Sequence, residues 1–457
     1  MREDIKRRIE QIRRGEVPEG YDSETQIGIL PKDWKINTIG EVVRTIVGGG
    51  TPSRRNAKYY EGHIPWVTVK DLNGDFYKCD ATEHITSEAI EKSASKLIES
   101  GNVIVSTRMG LGRGFINKVP MAINQDMKAL LLKTETSTEF FLYWYLNVGN
   151  RILELGGGST VKGISLNTLR SISLPSPPHI EQERIAEILS TCDRVIELKK
   201  KLIEEKKKVK KWFMQTLLTG MIRVKDIENR TPYEELKKRI EQIRSGQVNE
   251  GYDCHKQIDI LPKNWRIKSV GEVVRTIVGG GTPSRRNAKY YEGHIPWVTV
   301  KDLNCDFYKY DATEHITPEA IEKSASKFIE SGNVIVSTRM GLGRGFINKV
   351  PMAINQDMKA LLLKTEANAE FFLYWYLNVG RKIAELGGGS TVKGISLKTL
   401  RSIKLPFPPK DEQTQIAAIL STADKEIDLL NKDLEQWELK KKSLMQLLLT
   451  GIVRTKA

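Results

Sequence analysis

The sequence Gly48-Gly-Gly-Thr-Pro-Ser-Arg-Arg-Asn56 occurs a second time, unchanged, at residues 279–287. The offset of 231 residues holds along the chain, because it also pairs Trp66 with Trp297 and Gly220 with Gly451. Two repeats therefore fill the 457-residue chain without an insertion.

Between Gly40 and Glu135 the repeats are almost identical. They differ there only at Gly74/Cys305, Cys79/Tyr310, Ser87/Pro318 and Leu97/Phe328. Two such segments must fold alike, and if their surfaces bind a target, it is the same kind of target.

Each repeat divides into a short helix, a mixed α/β body and a long helix. The opening helix carries Ile5, Ile9 and Ile12 on one face, and in the second repeat Thr231 is the expected N-cap, with Pro232 as first helical residue. Double prolines at 177–178 and 408–409 close the bodies, because proline cannot continue a strand ladder. The predicted bounds are 1–19 for the first helix, 20–178 and 251–409 for the bodies, 179–250 for a central helical region and 410–457 for the last helix.

Within each body, alternating and apolar runs predict strands. In the first repeat they are 65–70, 102–107 and 128–133, separated by turns rich in glycine and asparagine. A helix over Thr138–Leu155 follows, and its aromatic residues are expected in the core rather than as a stacking platform for bases.

The long helices carry a coiled-coil seam. From 412 to 450, apolar residues recur in alternating steps of four and three, interrupted only by Lys441, and 39 residues give a rod of roughly 58 Å. In the first repeat Lys199, Lys206 and Lys210 dilute the equivalent seam. One such helix cannot bury its stripe alone, so we expect an α/β protein with two mixed bodies separated by long helices in an antiparallel coiled coil, a pseudo-two-fold internal repeat.

Composition limits the class of protein. The 72 Lys and Arg outnumber the 57 Asp and Glu, which gives a net charge of +15. No run approaches 18 apolar residues, the N-terminus lacks a secretory signal pattern, and the four cysteines form no C-x-x-C pair. We expect a basic protein of the reducing cytoplasm, with no membrane span, disulfide framework or bound metal.

Motifs for catalysis on nucleic acid are not found in the sequence. The glycine-rich stretches 110–114 and 156–163 do not spell a Walker loop, no H-E-x-x-H pair occurs, and 176–179 lacks the acceptor and aromatic order of a methyltransferase loop. We therefore predict no catalytic residue and no bound cofactor in this chain.

Binding motifs are better represented, and they occur in both repeats. Cations alternate with polar and aromatic residues at 53–60, and arginines flank glycines at 106–114, as suits contacts to phosphates and base edges. The candidate DNA-binding residues are Arg54, Arg55, Lys58, Lys70, Arg108, Arg113 and Lys162, with Arg285, Arg286, Lys289, Lys301, Arg339, Arg344 and Lys393 as their counterparts. The alternative is that each is a solvated turn residue.

Two further features allow more than one interpretation. Asn124-Gln125 suits the reading of adenine, but its apolar neighbours Ile123 and Met127 suit a buried structural pair equally. The lysine-rich stretch 197–211 suits a solvated helix face, the DNA spacer or a partner subunit.

Taken together, these motifs resemble the specificity subunit of type I restriction-modification systems over essentially the whole chain. In the first repeat they are Leu30-Pro-Lys-Asp-Trp34, Ile39-Gly-Glu-Val42, Gly49-Gly-Thr-Pro52, Ile64-Pro-Trp-Val67, Gly158-Ser-Thr-Val-Lys-Gly-Ile-Ser165, Leu174-Pro-Ser-Pro-Pro178 with Glu181-Gln182, and Met214-Gln-Thr-Leu-Leu-Thr-Gly220. The second repeat has them again in the same order, ending with Pro406-Phe-Pro-Pro409, Glu412-Gln413 and Leu444-Met-Gln-Leu-Leu-Leu-Thr-Gly451.

The resemblance implies a non-catalytic subunit whose two bodies are target recognition domains for double-stranded DNA. It implies two modification subunits that bring S-adenosylmethionine and adenine-N6 methylation, and restriction subunits that bring ATP-driven translocation and Mg-dependent cleavage. Family members commonly have dissimilar recognition domains, whereas these two are nearly identical. If the helices are antiparallel, the bipartite target is palindromic around a spacer; a translational arrangement gives direct repeats.

Two other functions compete with this interpretation. A self-contained nuclease or methyltransferase would act as an isolated chain. A two-headed DNA- or RNA-binding scaffold, such as a repressor, would bind tightly without modification subunits and without methylation.

Overall fold

The computed structural model describes residues 3–23, 27–157, 162–255, 259–304, 306–388 and 394–455. The chain divides into two compact units, which we call unit one (1–200 with 432–457) and unit two (201–431). The predicted domain bounds separate the long helices from the mixed bodies, whereas each compact unit combines one body with parts of both long helices. The predicted bounds therefore stay a prediction.

The first repeat begins with a helix and continues as a mixed α/β body. Its elements are α1 Glu3–Arg13, β1 Tyr21–Asp22, β2 Leu30–Pro31, β3 Lys35–Thr38, α2 Ile39–Val42, β4 Val43–Gly48, β5 Ile64–Val67, β6 Tyr77–Lys78, β7 Glu83–Ile85, α3 Ser87–Glu91, β8 Leu97–Ile98, β9 Val103–Ser106, β10 Gly114–Asn117, β11 Met121–Ile123, β12 Met127–Leu132, α4 Thr138–Asn147, α5 Gly149–Glu154, α6 Leu166–Arg170, β13 Ser173–Ser176 and α7 His179–Leu217. Short 3-10 helices lie at Ala57–Tyr60 and Val69–Asp71.

The second repeat has the same order of elements after one additional short helix. They are α8 Val224–Glu228, α9 Tyr233–Arg244, β14 Tyr252–His255, β15 Asp259–Pro262, β16 Arg266–Ser269, α10 Val270–Val273, β17 Val274–Gly279, β18 Ile295–Val298, β19 Tyr308–Lys309, β20 Glu314–Ile316, α11 Pro318–Glu322, β21 Phe328–Ile329, β22 Val334–Ser337, β23 Gly345–Asn348, β24 Met352–Ile354, β25 Met358–Leu363, α12 Ala369–Asn378, α13 Gly380–Glu385, α14 Leu397–Ser402, β26 Lys404–Phe407 and α15 Lys410–Leu448. Its 3-10 helices are Ala288–Tyr291 and Val300–Asp302.

Each body contains two main mixed sheets. In unit one the orders are β4-β12-β9-β10-β6 and β7-β5-β11-β8, and in unit two they are β17-β25-β22-β23-β19 and β20-β18-β24-β21. The apolar run of β9 is buried at every position, as its sequence predicts for a central strand. Side chains of α4 and α12 complete the cores, so the prediction that these aromatic residues are core residues is confirmed.

The long helices α7 and α15 pair antiparallel in both units. In unit one Asp193 accepts from Lys441 at 2.5 Å, and Lys199 pairs with Asp433. In unit two the pairs are Lys206 with Glu426, at 2.6 Å, and Lys210 with Asp424. The predicted antiparallel coiled coil is confirmed, and lysines that interrupt the apolar seam are bonded to acids of the facing helix.

The length of the second long helix was predicted correctly but its position was not. Helix α15 spans Lys410–Leu448, which is 39 residues and two positions earlier than the predicted 412–450. It starts directly after the double proline, since Gln413 N–H already bonds to the carbonyl of Pro409.

A buried or nearly buried carboxylate at the start of each long helix holds several segments together. In unit one, Glu181 is 5% exposed and accepts from the Trp34 indole at 3.1 Å and from Arg454 at 2.8 and 2.7 Å. In unit two, Glu412 accepts from the Trp265 indole at 2.9 Å and from Arg223 at 2.6 and 2.7 Å. We call each set a carboxylate clasp.

The glutamine beside each carboxylate closes the body onto the helix. The Gln182 amide donates to the Pro177 carbonyl at 2.9 Å and accepts from the Ser137 backbone N–H at 2.9 Å. Its counterpart Gln413 makes the same bonds in unit two. The Glu-Gln pairs are thus structural, which the sequence alone did not reveal.

In each unit a tyrosine hydroxyl donates to a glycine carbonyl just after the end of a long helix, but the helix is α7 in one unit and α15 in the other. Tyr252 donates to the Gly220 carbonyl at 3.0 Å, after the end of α7. Tyr21 donates to the Gly451 carbonyl at 2.7 Å, after the end of α15. The residues after α15 therefore occupy the place in unit one that the residues after α7 occupy in unit two.

Three local predictions were wrong in detail. The helix predicted over Thr138–Leu155 breaks at Val148, where Gly149 lies against Gly112 too closely for a side chain on Gly112. Pro232 is the N-cap of α9 and not its first helical residue, because its ψ of 140° is extended. The strand predicted over 65–70 ends at Val67, since the Thr68 side chain caps a 3-10 helix.

Among the helices that the structure describes, none is long and apolar enough to cross a membrane.

The carboxylate clasp gives a stability prediction. Arg454→Ala leaves Glu181 buried without its cation and should lower the free energy of unfolding by about 2–3 kcal/mol, less than for a fully buried pair because the arginine is partly exposed. Denaturant unfolding measures this loss. Arg454→Ala combined with Glu181→Gln should cost less than the sum of the single changes, and additive costs would contradict the coupling.

Candidate nucleic-acid interface

The loop after β4 is held in place by two aromatic side chains. The Trp66 indole donates to the Gly50 carbonyl at 3.1 Å, and the Tyr60 hydroxyl donates to the Pro52 carbonyl at 2.6 Å. The counterparts 231 residues further along make the same bonds at 3.1 and 2.7 Å. The motifs Gly49-Gly-Thr-Pro52 and Ile64-Pro-Trp-Val67 are therefore bonded to each other, and the loop after β4 is anchored on β5.

The Arg54 side chain extends from this loop and is paired with Glu83. Its guanidinium donates to both Glu83 oxygens at 2.5 and 2.7 Å and lies 4.2 Å from the centre of the Tyr60 ring. The hydrogen bonds from Arg54 lower the pKa of Glu83, with a smaller contribution from the charge of Lys70. Arg54 is still 54% exposed, so it presents a cation to solvent from a largely neutralised pair.

The neighbouring cations differ in their environment. Lys58 lies near Glu88, whose pKa is lowered first by a hydrogen bond from Lys92 and further by the Lys58 charge. Arg55 is exposed and has no hydrogen bond or ion pair among the described residues. Arg285, Arg286, Lys289 and Lys301 occupy the same positions in unit two.

The second predicted segment places its arginines on an exposed loop. The backbones of Arg108 and Gly163 pair as an isolated antiparallel β-bridge. The Arg108 guanidinium lies 3.8 Å from the Asp126 carboxylate, and 60% of the arginine side chain is exposed. Arg113 is exposed at the end of the same loop, and Lys162 is exposed beside Gly163. Arg339 and Arg344 are placed in the same way in unit two, whereas Lys393, like Ser159 and Thr160, lies outside the described residues.

Backbone hydrogen bonds join these loops. The Gly50 N–H donates to the Ile123 carbonyl at 3.0 Å, and the Thr107 N–H donates to the backbone carbonyl of Asp126 at 2.8 Å. The Met109 N–H donates to the Lys162 carbonyl at 3.3 Å. We call the joined segments 49–55, 106–113, 124–126 and 162–164, with their described counterparts 280–286, 337–344, 355–357 and 394–395 in unit two, the loop cluster.

The turn between β11 and β12 separates the residues of the predicted Asn124-Gln125 pair. Asn124 is 6% exposed, and its side chain bonds to the N–H and carboxylate of Asp126 at 3.1 and 3.2 Å. Gln125 is exposed, and its side-chain oxygen accepts from the Thr51 hydroxyl. The structural interpretation is correct for Asn124, and only Gln125 faces solvent.

Met109 lies at the tip of the arginine loop in a strained conformation. Its φ is 51°, its side chain is 61% exposed, and Met340 repeats both features with a φ of 49° and 60% exposure. A left-handed conformation costs a non-glycine residue about 1–2 kcal/mol. Strain of this kind tends to persist where it serves function.

The predicted cations thus fall into two groups. In the first group Arg54 donates two short hydrogen bonds to Glu83, and Lys58 and Lys70 lie near carboxylates. In the second group Arg108, at 3.8 Å from Asp126, lies with Arg113 and Lys162 around the exposed turn of the loop cluster. Sequence reasoning missed Thr51, Met109 and Lys128, which lie in or beside this cluster. All three residues are identical in the two repeats, but so are almost all of their neighbours, and this identity therefore could not distinguish binding residues from structural ones.

Lys128 supports the turn from the next strand. Its ammonium donates to the Gln125 carbonyl at 2.8 Å, and burial lowers its pKa, while nearby Asp126 opposes that shift. Within the described ranges, no three His, Cys, Asp or Glu side chains come together as a metal-binding group.

Comparison with known proteins identifies a single family. The model of the type I restriction modification DNA specificity domain matches twice, at residues 31–208 and 262–439. The type I restriction enzyme MjaIX specificity subunit of Methanocaldococcus jannaschii is 27% identical over 85% of this chain and 86% of its own length. The putative MjaX specificity subunit of the same organism is 28% identical over 95% and 96%.

A solved structure has the same fold. The S subunit of a type I restriction-modification system from M. genitalium matches with a TM-score of 0.53 and 17% identity, over 91% of this chain and 96% of that one.

The pairing of Arg54 with Glu83, repeated in unit two, leads to a binding prediction. Arg54→Ala with Arg285→Ala should weaken DNA binding and reduce the slope of log affinity against log salt, by about 0.9 for each phosphate that is no longer neutralised. Titrations at several salt concentrations measure both effects. Adding Glu83→Ala and Glu314→Ala tests the pairing: the loss should persist, and recovered binding would mean that the arginines only neutralise the glutamates.

The strain at Met109 leads to a stability prediction. Met109→Gly with Met340→Gly should change the free energy of unfolding by about 0–1 kcal/mol in the stabilising direction, because glycine adopts positive φ at little cost. Leu97→Gly, at an exposed strand position of ordinary φ, is the control and should destabilise. Equal destabilisation by both changes would contradict the strain.

Proposed function

Because the chain belongs to the family of type I restriction modification DNA specificity domains, we propose that it reads a bipartite DNA site on behalf of catalytic partner subunits. It is a specificity subunit, the class of subunit that determines the DNA target and is not itself catalytic. The observation that carries the proposal is the loop cluster, which presents exposed arginines at the same positions in both units of a protein with net charge +15. They are Arg54, Arg55, Arg108 and Arg113 in unit one and Arg285, Arg286, Arg339 and Arg344 in unit two.

The two half-sites have the same sequence. This follows from the loop clusters, because the differing positions 74/305, 79/310, 87/318 and 97/328 all lie outside them. The antiparallel pairing of α7 and α15 supports inverted half-sites, since each domain is followed by one of these helices. The proposed target is therefore a gapped palindrome, and a rod of roughly 58 Å limits its spacer to at most about 17 base pairs.

Chemistry belongs to the partners in this proposal. Two modification subunits dock on the chain and supply S-adenosylmethionine and adenine-N6 methylation, and restriction subunits supply ATP and Mg-dependent steps. The absence of Walker and methyltransferase motifs from the sequence supports this division. A protein that works on cellular DNA with these partners acts in the cytoplasm.

Methylation mapping tests the proposal. The chain is expressed with the modification subunit encoded beside it, and methylated adenines are mapped on random-sequence DNA. The expected result is a methylated gapped palindrome. Methylation at a gapped direct repeat would keep the specificity role and overturn the inverted arrangement, and DNA binding without methylation would favour a scaffold. The modification subunit expressed without this chain is the control and should leave the DNA unmethylated.

A further inference from the structure

Gln125 projects from a turn that has little freedom to move. The turn joins β11 to β12 directly, and the Asn124 side chain closes it from within by bonding to the Asp126 N–H and carboxylate. The Asn124 N–H donates to the Val67 carbonyl at 3.0 Å, so the turn is also tied to β5. The glutamine side chain is therefore presented from a fixed backbone.

Two backbone carbonyls of this turn are occupied by protein donors. Lys128 donates to the carbonyl of Gln125 at 2.8 Å, and the Thr107 N–H donates to the carbonyl of Asp126 at 2.8 Å. These two carbonyls are thus committed to internal bonds. What the turn offers to a ligand is the Gln125 side chain.

A second loop orients the glutamine amide. The Thr51 hydroxyl donates to the Gln125 side-chain oxygen, and Thr51 follows a backbone segment packed directly against the turn. A β-carbon on Gly49 would lie 2.0 Å from the Ile123 carbonyl oxygen and 2.4 Å from that of Asn124. Only glycine permits this approach, so the Gly-Gly-Thr sequence serves to place the threonine beside the glutamine.

The oriented amide matches one base well. With its oxygen facing Thr51, the amide NH2 group still has donors to give, and the oxygen keeps a second lone pair. Glutamine that donates to N7 and accepts from the N6 amino group recognises adenine in the major groove. A side chain held in one geometry before binding makes such a contact with little loss of conformational entropy.

Unit two repeats every part of the arrangement. Thr282 donates to Gln356, Asn355 bonds to Asp357 at 3.1 and 3.2 Å, and Lys359 donates to the Gln356 carbonyl at 2.7 Å. Gln356 is exposed like Gln125.

We propose that Gln125 and Gln356 are specificity-determining residues, each reading one adenine in the major groove of its half-site. The inference rests on the proposed function and adds to it the residue that selects a base. Arg108 and Arg339, exposed beside the same turns at 3.8 and 3.7 Å from Asp126 and Asp357, supply cations for the neighbouring phosphates.

The repeat allows each glutamine to be changed separately. Gln125→Ala, Gln356→Ala and the double variant are each expressed with the modification subunit, and methylated sites are mapped. Each single variant should lose the preference for adenine at one position of one half-site, and the double variant at the equivalent position of both. A bidentate base contact corresponds to a loss of discrimination of roughly 5- to 150-fold.

Two matched variants make the result specific. Gln125→Glu with Gln356→Glu keeps the shape and removes the amide donors, so adenine preference should be lost as in the alanine variant. Gln247→Ala changes an exposed glutamine outside both bodies and should leave the motif unchanged. Unfolding midpoints of all variants, which should match that of the unchanged chain, show that the domains remain folded.

The outcomes separate this inference from the proposed function. If the unchanged chain directs no methylation, the proposed function fails. If it directs methylation and the folded double variant methylates the same motif with the same preference, the glutamines do not read the site. A relaxed base other than adenine would overturn the assignment of the base.

Discussion

The paired carboxylate at the start of each long helix, buried in unit one and nearly buried in unit two, makes the interaction on which the rest of each unit depends. Glu181 and Glu412 take bonds from a tryptophan near the start of their body and from an arginine beyond the far end of the other long helix. A carboxylate in this environment is costly unless it is fully paired. The body, its own helix and the end of the opposing helix are therefore fixed at one point, and the loop cluster is carried on the body so fixed.

Sequence patterns predicted the parts of the fold that depend on periodicity. The constant offset predicted two like bodies, the seam predicted the helix pairing, and the density of aromatics in 140–145 predicted a core helix. Each of these signals is repeated along many residues, so a local exception such as the helix break at Val148 does not cancel it. Positions of helix ends were less accurate because they depend on single capping bonds.

The site was only partly predictable, because its chemistry depends on pairs that are distant in sequence. Arg54 meets Glu83 across 29 positions, and Thr51 meets Gln125 across 74. In the sequence, Arg54 and Arg108 look equally available, and Asn124 and Gln125 look equally buried or exposed. Tertiary contacts distinguish them. Glu83 is paired with Arg54, and the Asn124 side chain is hydrogen-bonded to Asp126 and buried, whereas Gln125 is exposed.

The ion pairs between α7 and α15 also decide the register of the two helices. An apolar seam by itself fits nearly as well after a slip of one heptad, which would displace one helix along the other by about 10.5 Å. Lys441 and Lys206 have their acids at fixed positions on the facing helix, so such a slip would break both pairs. The charges within the seam therefore select one register of the two helices, which the apolar contacts alone would leave open.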